Sequence, residues 1–208
     1  MELALTILAV FLVLVASELW WRKHNLHGEL SRKFVHITVG SFVAFWPFFL
    51  SWQQIELLSV ALVVVIGISR ALNIFQAIHS VQRPTWGELF FAAAVGLVAL
   101  ITHDKWIYAA ALLQMSLADG LAAIVGRHYG NRMKYLVFGH AKSVAGTLTF
   151  FAISVAILLA FSHWGGQPLS LAFVLAISAL ASVLENIGVL GSDNLLVPVL
   201  VAIALVNH

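Results

Sequence analysis

Val144-Ala-Gly-Thr-Leu-Thr-Phe-Phe-Ala-Ile-Ser-Val-Ala-Ile-Leu-Leu-Ala-Phe-Ser162 is an apolar stretch that contains no charged side chain. A helix needs about 20 predominantly apolar residues to cross the hydrocarbon core of a bilayer. The stretch is therefore predicted to be a transmembrane helix, and the rest of the chain repeats its pattern.

Apolar segments of similar character lie on both sides of this stretch. Together with Val144–Ser162, the predicted spans are Leu3–Trp21, Lys33–Leu50, Ile55–Phe75, Trp86–Thr102, Trp106–Val125, Leu169–Leu190 and Leu195–Val206. The last is short, because about 12 residues at 1.5 Å each cover roughly 18 Å, and a re-entrant segment is the alternative. Glu2 stands where a signal peptide has a basic region, so we expect the first span to be retained.

The composition agrees with this pattern. Of 208 residues, 62% are hydrophobic and 10% are charged, against about 25% charged in an ordinary soluble domain. The mean hydropathy of +0.99 excludes a water-soluble domain. We predict an all-α, polytopic transmembrane helical bundle of seven to eight spans, forming one domain over residues 1–208. The chain has no cysteine, which excludes disulfides and thiolate metal sites.

The basic residues are distributed asymmetrically about these spans. Ten of the eleven fall on one side, namely Arg22, Lys23, Arg32, Lys33, Arg70, Arg83, Arg127, Arg132, Lys134 and Lys142. Lys105 is on the other side. By the positive-inside rule the basic side is cytoplasmic, so membrane topology accounts for the net charge of +2 and no nucleic-acid partner is expected. We predict an integral membrane protein, of the inner or plasma membrane in a prokaryote.

Ionisable residues inside or beside a span are functional candidates, because each costs about 2.5–3.5 kcal/mol at mid-bilayer. The first group is Glu29, Arg32, Lys33 and His36, which share one helical face at i, i+3, i+4 and i+7. The alternative is a juxtamembrane helix with a Glu–Lys pair and snorkelling cations. His36 fits that alternative poorly, since it lies beyond the first turn.

The second group centres on Asp119, which is about two turns inside the cytoplasmic end of the fifth span. Gly126 lies on nearly the same face, and small residues there allow another backbone or a ligand to approach closely. A carboxylate that only holds helices together is the alternative.

The third group is Lys142 and Ser143, in a basic loop that leads into the sixth span. A helix start favours phosphate through its N–H groups and dipole, and Lys142 adds a full charge. The loop lacks the glycine pattern of a nucleoside-triphosphate P-loop. The alternative is Ser143 as the helix N-cap and Lys142 as a topology anchor.

The fourth group is Glu185, Asp193 and Asn194, which interrupt an apolar stretch on the same side. Asp193 or Ser192 could instead cap the last helix, whereas Glu185 lies before the break. Together the four groups supply carboxylates, amides and basic groups, which suit Mg²⁺ and a nucleotide because phosphoryl transfer depends on positioning and charge neutralisation.

At these residues the chain resembles the CTP-dependent membrane lipid kinases, a family that comprises dolichol kinase, phytol kinase and the yeast-type diacylglycerol kinase and is related to phosphatidate cytidylyltransferases. The matching pieces are ELSRKFVHITVG (29–40), LADGLAAIVGRHYG (117–130), KSVAGTLTF (142–150) and ENIGVLGSDNLLVP (185–198).

The resemblance implies transfer of the γ-phosphoryl group of CTP to a membrane lipid alcohol, with a divalent cation, at the cytoplasmic face. It implies catalytic roles for Asp119, Lys142, His36 and Glu185. It implies metal ligands among Asp119, Glu185, Asp193 and Asn194. It implies nucleotide binding by Arg32, Lys33, Gly120, Gly126, Arg127, Lys142, Ser143 and Gly146.

The acceptor and the reaction leave alternatives. The chain is compact beside the eukaryotic dolichol kinases and closer in size to phytol kinase, which favours a small isoprenoid-alcohol kinase. Phytol, dolichol and other polyprenols all stay open as the acceptor, with diacylglycerol as an alternative. Cytidylyltransferases look to have a second acidic residue before the aspartate, where this chain has Met115, Ser116, Leu117 and Ala118, so cytidylyl transfer ranks second. A transporter ranks lower, because transporters place polar residues near the midplane between repeats, and a scaffold ranks last. The oligomeric state is not predicted.

Overall fold

The computed structural model describes residues 29–72, 86–130 and 133–208. Its α-helices are α1 (Glu29–Ala44), α2 (Trp52–Leu72), α3 (Gly87–Ile101), α4 (Lys105–Leu113), α5 (Asp119–Tyr129), α6 (Val144–Trp164), α7 (Leu171–Ile187) and α8 (Asp193–Val206). A π-helical segment, Gln114–Ala118, joins α4 to α5. Strands β1 (Lys134–Val137) and β2 (His140–Ser143) form an antiparallel hairpin between α5 and α6.

Several predictions concern residues outside the described part of the chain. These are the first span, Leu3–Trp21, the last three residues of the third span, and the basic residues Arg22, Lys23, Arg83 and Arg132. The backbone of Glu29, Arg32 and Arg70 is described as helical, but their side chains are not.

The helices follow the predicted spans with shifted ends. α1 stops at Ala44, six residues before the predicted end at Leu50, and Pro47 lies in the short 3₁₀ turn that follows. α7 ends at Ile187 rather than Leu190, because the chain turns there through Leu190 and Gly191, both with positive φ. The fifth span is longer than predicted, since α4, the π segment and α5 run continuously from Lys105 to Tyr129.

Among the described residues, two helical segments are long and apolar enough to cross a membrane, namely Lys105–Tyr129 and Val144–Trp164. The apolar parts of α2, α3, α7 and α8 are shorter. The all-α class is confirmed, with a two-stranded hairpin that the sequence did not indicate, whereas the arrangement of seven to eight spans stays a prediction.

The core of the bundle lies around α4 and its continuation. Tyr108 and Leu112 of α4 are fully buried beside Phe150 and Leu158 of α6 and Val201 of α8. α2 is peripheral and packs along α3, where the Ser59 hydroxyl donates to the Ala92 carbonyl at 2.7 Å.

Glycines allow the backbones of α5 and α6 to approach each other closely. A Cβ atom on Gly126 would lie 3.2 Å from Cα of Gly146, and one on Gly146 would lie 3.1 Å from the Ala122 carbonyl oxygen. The small residues predicted to admit a backbone or a ligand therefore admit a backbone. This contact holds the start of α6 beside α5, and it fixes the position of the hairpin between them.

Candidate active site

Three carboxylates from distant segments meet at one end of the bundle. Asp119 begins α5, Glu185 lies in the last turn of α7, and Asp193 begins α8. One oxygen from each lies within 4.8 Å of the other two. Asp119 and Glu185 are buried and Asp193 is half-buried, so the cluster faces inward.

Lys33 pairs with the first of these carboxylates. Its ammonium group donates to Oδ2 of Asp119, and both side chains are largely shielded from solvent. α1 brings Lys33 to this position because it packs against α5 and the π segment. The pair therefore connects two of the four sequence groups.

His36 lies one turn further along α1, next to the same carboxylate. Its Nε2 is 3.8 Å from Oδ2 of Asp119 and 3.0 Å from the carbonyl oxygen of Met115. Its ring also contacts the edge of Phe91, with centroids 5.3 Å apart. Met115 belongs to the π segment, a kind of helical irregularity that is frequent at functional sites.

Lys142 pairs with the second carboxylate. Its Nζ donates to Oε1 of Glu185 at 2.5 Å and to the Glu185 backbone carbonyl at 2.8 Å. Since Lys142 is in β2, these two hydrogen bonds tie the hairpin to the end of α7.

A second set of hydrogen bonds between the hairpin and α7 was not predicted from the sequence. In the register, Tyr135 of β1 is opposite Lys142 of β2. The Tyr135 hydroxyl donates to Oδ1 of Asn186 at 2.5 Å and contacts the hydroxyl of Thr147, which itself lies 3.2 Å from that oxygen. The amide of Asn186 donates to the Ser182 carbonyl at 2.8 Å. Asn186 follows Glu185 and was visible as a polar residue, but the sequence gave no signal for Tyr135.

Ser143 caps α6, as the alternative interpretation of the third group predicted. Its hydroxyl accepts from the Gly146 N–H at 3.1 Å and donates to the Gly126 carbonyl at 3.4 Å. Gly120 faces the side chain of Ile37, where any Cβ would collide. The site residues Gly120, Gly126 and Gly146 therefore all lie at helix contacts.

The loop from Gly188 to Asp193 is attached to the start of α3. The Trp86 N–H donates to the Leu190 carbonyl at 2.9 Å, and the Asn194 amide donates to the Gly87 carbonyl at 3.0 Å. Asn194 thus connects α8 to α3, next to Asp193. Of the two capping candidates, Ser192 occupies the N-cap position of α8 but its side chain makes no capping hydrogen bond, and Asp193 is the first residue within the helix.

Two predicted nucleotide-binding residues are not placed in the cluster. Arg127 lies on the exposed end of α5, and the side chain of Arg32 is outside the described part of the chain.

The donor set fits a small divalent cation. Mg²⁺ prefers oxygen ligands at about 2.1 Å, so two of its ligand oxygens are at most about 4.2 Å apart. The three carboxylate oxygens lie within 4.8 Å of one another, so small rotations of the side chains would bring them to that spacing. Asp119, Glu185 and Asp193 would hold the ion, and Lys33 and Lys142 pair with two of these carboxylates.

Comparisons with known proteins give a consistent result. The chain is 36% identical over 196 residues to a phytol kinase of Synechocystis sp., with 89% of this chain and 82% of that protein covered. It is 30% identical over 202 residues to the probable chloroplastic phytol kinase 1 of Glycine max, covering 85% of this chain and 66% of the relative. The probable phytol kinase 2 of Glycine max is 31% identical over 169 residues, covering 76% and 55%.

No family model matches the sequence, and no solved structure matches it. The similarity to the Synechocystis protein extends over most of both chains. The chain therefore belongs to the phytol/dolichol kinase family of lipid-alcohol kinases.

Proposed function

We propose that this protein transfers the γ-phosphoryl group of CTP to the hydroxyl group of a membrane isoprenoid alcohol of the phytol or polyprenol type, at the cytoplasmic face. Kinship with phytol kinases supports the acceptor class. The choice of CTP as donor comes from the family resemblance.

The observation that carries the proposal is the meeting of three carboxylates and two lysines from four sequence groups. Burying charged groups is costly unless they are paired or bind an ion. A cluster that contains one more carboxylate than lysines is suited to a divalent cation with bound phosphates.

The metal site would consist of Asp119, Glu185 and Asp193. A bound Mg²⁺ would neutralise charge on the phosphates of the nucleotide. Asn194 is next to this site, and its amide nitrogen is already used in the contact with Gly87.

Lys33 and Lys142 would exchange partners when substrates bind. Each ammonium group now neutralises a carboxylate. Once a divalent cation shares those carboxylates, the lysines can turn to phosphate oxygens, which bind ammonium groups through charge-assisted hydrogen bonds. Arg127 and Arg32 remain proposed contacts of the nucleotide at the edge of the site.

In the reaction the oxygen of the lipid alcohol forms a bond to the γ-phosphorus, and the bond from that phosphorus to the bridging oxygen of CDP breaks. The hydroxyl proton must leave at the same time. His36 is the proposed acceptor, because a neutral imidazole whose Nε2–H donates to Met115 has an unprotonated Nδ1.

The membrane setting is supported by the outer surface of the bundle. Large apolar side chains are exposed on several helices, including Val65 of α2, Leu100 of α3, Leu148 of α6 and Leu171 of α7. Contiguous exposed apolar surface is typical of interaction with lipid or another protein. The positive-inside rule then assigns the cluster, which lies with the basic loops, to the cytoplasmic side.

The test is a transfer assay with the purified full chain in lipid vesicles that contain phytol, geranylgeraniol, a polyprenol or diacylglycerol. CTP or ATP is added with label at the γ- or the α-phosphorus, and labelled lipid is separated from nucleotide. We expect the label from the γ-phosphorus to appear in an isoprenoid alcohol, and we expect this transfer to require Mg²⁺.

Asp119→Asn is expected to lower this transfer at least ~100-fold, because it removes a charged metal ligand, while the protein stays folded in the vesicles. Glu56→Gln is the matched control, since Glu56 lies in the first turns of α2 at the opposite end of the bundle. Label from the α-position in the lipid would establish cytidylyl transfer instead, and full activity of Asp119→Asn would exclude the proposed metal site.

A further inference from the structure

A small apolar groove lies between the second half of α2 and the start of α3. Its volume is about 230 Å³, and its lining residues are Ile66, Gly67, Ala71, Trp86 and Leu89. A Cβ atom on Gly67 would have no neighbour within 4 Å, so the groove is open in front of this glycine. We call it the α2–α3 groove.

The groove is attached to the carboxylate cluster at one end. Trp86, which lines it, donates its backbone N–H to Leu190 in the loop that precedes Asp193. The next residue, Gly87, accepts from Asn194, which follows Asp193. Two hydrogen bonds therefore hold the groove beside the segment that contributes a carboxylate to the candidate active site.

The other side of the groove faces the apolar exterior of α2. Val64, Val65 and Ile68 are each more than half exposed on this part of the helix. A hydrocarbon chain that lies in the groove can therefore continue along these exposed apolar side chains of α2. Ligand pockets for whole small molecules are typically about 300–1,000 Å³, so this groove fits a section of a long chain.

We propose that the α2–α3 groove binds part of the isoprenoid chain of the acceptor, and that Gly67 and Leu89 determine which isoprenoid chains the protein accepts. This inference rests on the proposed function. It places the hydroxyl end of the lipid towards Asp193 and the rest of the chain along α2.

Gly67→Phe tests the groove directly. A Cβ atom at this position meets no neighbour within 4 Å, and the new ring adds bulk to the lining of the groove. We expect kcat/KM for 20-carbon alcohols to fall ~10-fold or more, as when a hydrophobic subsite is filled, with the KM for CTP unchanged. Selectivity across geraniol, farnesol, geranylgeraniol and phytol should shift to shorter chains.

Leu89→Ala provides the opposite change, because it widens the groove. We expect it to improve the use of bulkier or longer alcohols relative to farnesol. Val60→Phe is the matched control, since Val60 is 61% exposed on the same helix but is not part of the groove. It should keep the wild-type selectivity, and it shows whether an added ring on α2 is tolerated.

A binding measurement separates this inference from the proposed function. Thermal unfolding of the purified protein is followed with geranylgeraniol and no nucleotide, because a ligand of the native state raises Tm. We expect a rise for the wild type and for Val60→Phe, and a smaller rise for Gly67→Phe.

If the wild-type protein transfers no phosphoryl group from any nucleotide but shows this pattern of Tm shifts, the proposed function is overturned and the groove is not. Selectivity and Tm shifts of Gly67→Phe equal to those of the wild type would overturn the groove. A wild type whose Tm does not respond to geranylgeraniol would also count against the groove.

Discussion

Lys33 and Lys142 each pair with a different carboxylate of the cluster, and this pairing explains how three acidic side chains can lie so close together. Carboxylates that share a site repel one another unless a positive charge is near. The two lysines come from α1 and from β2, on either side of the cluster. Each lysine therefore reduces the repulsion among the carboxylates, which would otherwise push the helices that carry them apart.

Lys142→Met should destabilise the fold more than Glu185→Gln. Removing the lysine leaves a buried carboxylate next to two others, at a cost of about 3–5 kcal/mol. The glutamine variant removes the negative charge and can keep a hydrogen bond to Lys142. The measurement is the Tm of each purified variant without nucleotide.

The double variant Lys142→Met with Glu185→Gln is the control for this comparison, and its Tm should exceed that of Lys142→Met alone. Equal loss of Tm in the two single variants would show that the pair contributes no charge compensation.

The sequence predicted part of this residue-level arrangement. Asp119, Lys142 and Glu185 were expected to converge, because each lies at the cytoplasmic end of a predicted span. The partner of each lysine was not predictable. It depends on the packing of α1 against α5 and of the hairpin against α7, which are long-range contacts without a periodic signal in the sequence.

At the scale of elements, the β1–β2 hairpin is the main difference from the prediction. Its strands have four residues each and pair only with one another in the described part of the chain. Its turn uses Phe138 and Gly139 at φ of 47° and 78°, where Asn-Gly is the usual signal. Short strands with an unusual turn give no recognisable pattern, so the sequence indicated a basic loop.

Phe138→Asn should raise Tm. A bulky residue with positive φ costs roughly 1–2 kcal/mol, and asparagine is tolerated much better there. Phe138 is 73% exposed, so the substitution removes little buried surface. Thermal unfolding in detergent checks the expected increase.

Leu136→Asn is the matched control, because Leu136 is 74% exposed in β1 with ordinary strand geometry. A rise in Tm for both variants, or for neither, would mean that the turn conformation is not the cause.

Tyr135→Phe should weaken nucleotide binding with little effect on Tm. The variant keeps the ring but removes the hydroxyl that joins β1 to Asn186 and Thr147. Because Lys142 is opposite Tyr135 in the register, its ammonium group becomes less well positioned. We expect a several-fold higher KM for CTP, measured with saturating alcohol.

Tyr135→Leu is the comparison, because it removes both the ring and the hydroxyl. We expect it to raise the KM for CTP and also to lower Tm, whereas Tyr135→Phe should change the KM alone. An unchanged KM for CTP in Tyr135→Phe would show that the hairpin is held without this hydrogen bond.

At the scale of the molecule, hydropathy predicted the sequence of helices well. α6 begins at the predicted residue, Val144, and α3 and α8 match within two residues. The π segment and the early end of α1 were not predicted, because one extra residue per turn or a local turn at Pro47 leaves the average hydropathy unchanged.

The predicted topology can be checked by labelling, since the chain has no cysteine of its own. His208→Cys, two residues beyond the end of α8, should react with a membrane-impermeant maleimide added to intact cells. Phe138→Cys in the hairpin should react only after the cells are opened. Eight spans require this difference in sidedness.

A cysteine that is buried in the folded protein would not be labelled in intact or in opened cells. Labelling of the purified protein in detergent is therefore the control for each position. Labelling of both positions from the same side would mean that α8 does not cross the bilayer.

The two ammonium groups at the carboxylate cluster also affect how the protein responds to chelators. Because two of the three acidic side chains are paired with lysines, we expect the helices to stay together without an added cation. EDTA should therefore stop phosphoryl transfer and leave the bundle folded, and activity should return when Mg²⁺ is restored. Metal loading in this protein would then act as a reversible control of chemistry, separate from assembly of the chain.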